Sequence, residues 1–100
     1  MIRHTVAFAL KHAADSPAER DFLAAARALN AIPGVQKFEV LRQVGAKNAY
    51  TFGLSMEFAD AAAYAGYNDH PEHVRFVQQR WRSEVAEFLE IDYTSYSVDR

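Results

Sequence analysis

Apolar and polar residues alternate from Ile2 to Lys11, with Ile2, His4, Val6, Phe8 and Leu10 on one face and Arg3, Thr5, Ala7, Ala9 and Lys11 on the other. That period of two predicts a strand with one strongly apolar face. Ser16-Pro17-Ala18-Glu19 then has the form of a capping box, with Pro17 pre-set for the first helical position. Phe22, Ala25, Ala26 and Leu29 recur at three- and four-residue spacing, so an amphipathic helix is predicted, ending before Ile32-Pro33-Gly34. Val35 to Val44 reads as a second strand, and Gly45-Ala46-Lys47-Asn48 closes it as a hairpin loop. In the third, Tyr50 to Phe58, an apolar set (Tyr50, Phe52, Leu54, Met56, Phe58) alternates with Thr51, Gly53, Ser55 and Glu57.

Asp60, or Ala59 before it, starts a short Ala-rich helix through Tyr64 and Tyr67. Pro71 disfavours helical geometry at His70, so Tyr67-Asn68-Asp69-His70-Pro71-Glu72-His73 is a polar, ionisable break between two helices. The second of these is expected from Pro71 to about Ala86, with Val74, Val77, Trp81 and Val85 as its buried stripe. A last strand is expected over Phe88 to Val98. Its faces are less distinct: Leu89, Ile91 and Tyr93 form one, and Phe88, Glu90 and Asp92 form a mixed one.

The order β-α-β-β-α-β, with a hairpin in the middle, predicts an α+β fold. It is a ferredoxin-like sandwich with a four-stranded antiparallel sheet and both helices on one face. The apolar sets of the first and third strands should meet the helices, leaving Thr5, Ala7, Ala9, Thr51, Gly53 and Ser55 opposite. Small residues there admit a second sheet or simply face water. The chain is 100 residues long and half hydrophobic, which fits one domain spanning 1-100. Eleven Lys plus Arg against thirteen Asp plus Glu give no electrostatic footprint for nucleic acid or an anionic membrane. Cysteine is absent, and no long apolar run is present, so the expectation is a soluble, cytoplasmic protein.

Four features in this order, Ile2-Arg3-His4-Thr5-Val6, Ile32-Pro33-Gly34-Val35, His70-Pro71-Glu72-His73 and Asp92-Tyr93, carry a resemblance over nearly the whole chain. The sequence resembles the stress-responsive dimeric α/β-barrel (Dabb) domain family. That resemblance implies a homodimer through the bare sheet face, forming a dimeric α/β barrel. Within the family the chain is similar to the olivetolic acid cyclase group, cofactor-independent enzymes that close a linear polyketide by an intramolecular aldol reaction. By that similarity Tyr67 and His73 correspond to the catalytic pair, His4 to a strand histidine and Phe22 to a pocket residue of the helix. Two positions depart from the group: Phe52 stands where it has a second strand histidine, and Ala25 where it has a pocket tyrosine. The resemblance therefore implies a reaction type and not the same substrate.

His73 precedes Val74 by one and Val77 by four, which sets it at the border of the buried stripe, where an imidazole could reach a cavity. Two readings of it stand: a general base for proton abstraction beside a carbonyl, assisted by a hydrogen bond from Tyr67, or a side chain that bonds a backbone carbonyl and pins the break. Tyr67 is equally readable as a core aromatic, His70 as a structural residue of the break and His4 as a satisfied buried histidine. A metal held by His70, His73 and a carboxylate is disfavoured by Pro71 between them. The expected function is thus a cofactor-independent cyclase or isomerase acting on a small apolar carbonyl compound. Tyr67 and His73 would be catalytic, His4, Phe22, Phe52 and Leu54 would line the site, and neither metal nor cofactor would be required. The alternative is a non-catalytic, homo-oligomeric stress-associated protein, and fold analogy adds a heme-free relative of the small barrel monooxygenases.

Overall fold

The computed structural model describes residues 1–99, and Arg100 lies outside the described residues. Strands β1 (Ile2–Leu10), β2 (Gln36–Arg42), β3 (Phe52–Phe58) and β4 (Val85–Tyr93) form one antiparallel sheet in the order β2-β3-β1-β4. Helices α1 (Pro17–Arg27), α2 (Ala61–Asp69) and α3 (Pro71–Phe76) cover one of its faces. This is the ferredoxin-like α+β architecture expected from the pattern. Among the described residues no helix is long and apolar enough to cross a membrane.

The cap residues act as their sequence positions require. Ser16 Oγ accepts from the Glu19 amide at 3.2 Å with Pro17 at the start of α1, and Asp60 Oδ1 accepts from the Ala63 amide at 2.9 Å to start α2. Glu19 does not close the box on Ser16; its Oε2 accepts from the Asp15 amide one residue earlier. Gly34, at φ 91, makes the turn after Pro33 into β2.

Register sorts the two faces. His4, Val6 and Phe8 pair with Met56, Leu54 and Phe52, and all six are buried beneath the helices. Phe8, Phe22 and Phe52 are joined by Phe76 and Trp81 in an aromatic cluster with ring centroids 5.1 to 6.3 Å apart. Where Val6 and Leu54 replace the phenylalanine pair one step along, the side chains are shorter and the layers do not fill the space between them.

Three boundaries differ from the expectation. The β2–β3 connection is longer than four residues: the Gln43 backbone amide still donates to the Thr51 carbonyl at 2.8 Å, and the Gln43 side chain donates to Asn48 Oδ1 and the Tyr50 carbonyl, bracing the loop. The third helix does not run as a regular α-helix to Ala86: after Phe76 it widens into a π turn (Val77–Trp81), closes with one turn (Arg82–Glu84), and β4 begins at Val85. A π turn shifts the phase of everything beyond it. Within α3 itself the inward residue is Phe76, whereas Val74 is 38% exposed. The last strand is correspondingly displaced, to Val85–Tyr93 in place of Phe88–Val98.

Candidate active site

The unfilled space is a cavity of about 250 Å³ between the sheet and the α2–α3 break, walled by Val6, Leu29, Leu54, Met56, Phe76, Val77 and Trp81. Its polar wall consists of His4, Tyr67, Asn68, His73 and Glu90, and Phe88 stands on it from β4. Phe88 is 52% exposed, so the cavity opens beside the edge strand.

The break positions three of these groups. His70 adopts extended backbone (φ −63, ψ 136) before Pro71, ending α2 and starting α3, and its Nδ1 accepts from the Glu72 amide at 3.1 Å. His73, one turn into α3, donates from Nδ1 to the Asn68 carbonyl at 3.0 Å. A carbonyl only accepts, so Nδ1 carries the proton and Nε2 keeps its lone pair in the neutral ring. Burial, with a smaller contribution from His4, holds the His73 pKa below the ordinary imidazole value, although the Asn68 carbonyl and Glu90 pull the other way.

Tyr67 packs against that ring with centroids 4.4 Å apart and is 2% exposed. Burial, reinforced by Glu90, pushes its pKa well above the usual phenol value, so the hydroxyl stays protonated at neutral pH. Its hydroxyl has no hydrogen-bond partner among the described residues, yet no buried side-chain oxygen or nitrogen there is sealed without one. The phenol therefore keeps access to the cavity as an unspent donor.

His4 is 7% exposed and enters from β1. Its Nδ1 lies 2.6 Å from Asp92 Oδ1 and 2.9 Å from the Tyr64 hydroxyl, which itself donates to Asp92 Oδ2 at 2.9 Å. Asp92 thus receives the His4 Nδ1 proton and orients the ring. Burial and the hydrogen bond to Asp92 raise the Tyr64 pKa, keeping that hydroxyl a donor.

Tyr67, His73, His4 and Leu54 thus line one cavity. Phe22 and Phe52 do not line it: Phe22 is fully buried in the aromatic cluster and Phe52 pairs with Phe8 beside it. Their large rings fill the end of the core and so bound the cavity indirectly. Glu90, Asp92 and Tyr64 were not singled out as site residues. The signal for the two acids is the β4 register, Phe88, Glu90 and Asp92 opposite Phe8, Val6 and His4, which turns the mixed face of that strand inward. Leu29 and Phe76 separate the cavity from a second groove of about 500 Å³ that holds His70, so His70 and His73 serve different surfaces.

The family model described as stress responsive A/B barrel domain matches residues 2–95. A Dabb-family protein of ferredoxin-like fold from Mesorhizobium loti is 59% identical, with a TM-score of 0.95 over 96% of this chain and 97% of that one. A dimeric protein of ferredoxin-like fold and unknown function from Bacteroides fragilis is 25% identical, with a TM-score of 0.70 over 92% and 93% of the two chains. A hydroxynitrile lyase from Passiflora edulis shares the fold, with a TM-score of 0.80 at 15% identity over 92% and 90%. Comparison with functionally curated proteins gives no match.

Proposed function

The chain belongs to the stress-responsive A/B barrel domain family, and within it we propose that this protein is a cofactor-independent enzyme of cyclase or isomerase type. It acts on a small, largely apolar carbonyl compound. The observation that carries this reading is the shared cavity: His73, whose Nδ1 proton is committed to Asn68, and Tyr67, whose hydroxyl is unspent, stand against each other on one wall. The resemblance of the sequence to the olivetolic acid cyclase group implies the same two residues.

In the proposed step, His73 Nε2 takes a proton from the carbon next to the substrate carbonyl. The electrons of that C–H bond become the enolate π bond, and the carbonyl electrons move onto oxygen, where the Tyr67 O–H donates a hydrogen bond. The enolate carbon then either attacks a second carbonyl of the same molecule, closing a ring, or takes a proton at another position. The imidazolium returns its proton to the new alkoxide or to carbon, restoring the base. His4, with Nδ1 committed to Asp92, offers Nε2 as an acceptor for a hydroxyl or enol hydrogen of the substrate. At about 250 Å³ the cavity sits just below the usual range of ligand pockets, ~300–1,000 Å³, which suits a small molecule.

Self-association through the bare sheet face accompanies this reading, in line with the dimeric Bacteroides fragilis relative. Register places Leu41, Gly53, Ala7 and Leu89 in one row across that face and Glu39, Ser55, Thr5 and Ile91 in the next. Leu41, Leu89 and Ile91 at the edges, with Glu39 at the fourth edge position, and small residues in the centre make a surface suited to a second copy.

A non-catalytic, homo-oligomeric stress-associated protein is the second reading, favoured by the backbone bonds of both His70 and His73, which pin the break. Deuterium exchange separates the two. A panel of uncharged β-diketones and β-keto esters is incubated in D₂O with the protein, and exchange at the α-carbon is followed by NMR. Acceleration that is lost in His73→Ala and reduced by roughly 10²–10³-fold in Tyr67→Phe supports catalysis. No acceleration across the panel, or acceleration indifferent to His73→Ala, would sink it.

A further inference from the structure

The cavity has a charge balance as well as a shape. Among the described residues its walls carry no lysine or arginine, and Glu90 is the carboxylate on them. Pairing opposite Val6 sets the Glu90 side chain on the helix-facing side of β4, between Phe88 and Asp92. No hydrogen bond or ion pair engages it among the described residues, in contrast to Asp92, which is held by His4 and Tyr64. His4 and Asp92 are paired with each other, so Glu90 is left as the unpaired carboxylate of the wall. Tyr67, Trp81, Phe76 and Phe88 add aromatic rings to a wall that is otherwise largely aliphatic.

We propose that Glu90 is a specificity-determining residue, which excludes carboxylates and phosphates from the cavity and reserves it for uncharged carbonyl compounds. This rests on the reading of the cavity as a ligand site. Glu90 is exposed within one chain and stands with Phe88 at the open side of the cavity. An anionic group entering there passes close to its carboxylate, with water screening the repulsion in part and no cation among the described wall residues to offset it. A compound whose acid function is esterified, or absent, is therefore bound in preference. The same carboxylate favours the imidazolium that forms on His73 when the proton has moved.

Trp81 is the single tryptophan of the chain and lines the cavity, so its fluorescence reports occupancy. The test uses a matched pair, methyl 4-acetylbenzoate and 4-acetylbenzoate, titrated into the wild type, Glu90→Gln and Glu87→Gln, with amide chemical shifts locating the bound ligand. Glu87 pairs with Ala9 on the opposite face of the sheet, so its variant makes the same change of net charge away from the cavity. The wild type and Glu87→Gln should prefer the ester by ~10-fold or more, Glu90→Gln should bring the two within ~3-fold, and added salt should narrow the wild-type preference. Ester binding in the cavity with a preference that Glu90→Gln leaves intact, or with none in the wild type, overturns the role of Glu90 and leaves the ligand site standing. Failure of both compounds to bind in the cavity overturns the two together.

Discussion

Asn68 and His73 are joined across the Pro71 break, the carbonyl of the first accepting the Nδ1 proton of the second at 3.0 Å. Both of the opposing readings of His73 meet in this bond, because the contact that pins the break also fixes the tautomer and leaves Nε2 for chemistry. With the folded pKa depressed by burial, proton abstraction should rise with pH along a limb whose midpoint lies below ~6.5. Stability has the matching sign. In the window between the depressed folded value and ~6.5 the unfolded chain binds the proton more readily than the folded one, so this residue's contribution rises with pH and is flat above that window. An NMR titration of the His73 ring checks both. A midpoint at or above ~6.5, or an Nε2-protonated neutral ring, would contradict the assignment.

Phe22 and Phe88 distinguish core from cavity mouth. Phe22→Ala should cost about 3–5 kcal/mol, since a fully buried ring among Phe8, Phe76 and Trp81 is removed. Phe88→Ala, at a half-exposed position, should cost less than about 1.5 kcal/mol while changing ligand affinity. Urea denaturation of both variants tests the contrast, and equal losses would mean that Phe22 is not the core residue described here.

The strands that face helices on one side only were legible because burial imposes alternation. β1 and β3 follow their apolar sets residue by residue. β4 escaped that logic: its cleaner apolar set, Leu89, Ile91 and Tyr93, lies on the bare face, and the mixed set carries Glu90 and Asp92 to the site. Periodicity reports that two faces differ, not which one meets the helices. Of the stripe Val74, Val77, Trp81, Val85, only Val74 turns outward: Val77 and Trp81 wall the cavity, and Val85 is buried as the first residue of β4. What the spacing did not announce is the π turn at Val77–Trp81 and the early start of the strand, since no residue type marks such a turn. Tyr67 and His73 were found through resemblance. Tyr64 was read only as part of a short helix, and its partnership with Asp92 depends on a contact across 28 positions.

Asp60 is the single side-chain cap of α2, the helix that carries Tyr64 and Tyr67. Asp60→Ala should lower stability by about 1 kcal/mol, or roughly 4–8 °C in Tm for a domain of this size. Because Tyr67 is fixed through that helix, ligand binding should weaken with it, whereas Asp60→Asn should retain most of both. Thermal melts followed by circular dichroism give the first readout and Trp81 fluorescence the second.

Ile91 tests the assembly. It stands 40% exposed on the bare face, opposite Thr5, in the row that continues through Ser55 to Glu39. In a free monomer this edge would leave Leu89, Ile91 and Tyr93 in water together, a contiguous apolar surface of the kind that marks an association site. Sedimentation of the wild type at micromolar concentration should give the mass of a dimer. Ile91→Glu places a charge where apolar edges meet, and its desolvation cost should shift the mass to that of the monomer without unfolding the sheet, because the position is solvent-facing within one chain. A monomeric wild type would refute the dimer outright. A dimeric Ile91→Glu would move the contact to another surface, and the helix-side groove holding His70 and Arg75 would then be the next face to substitute.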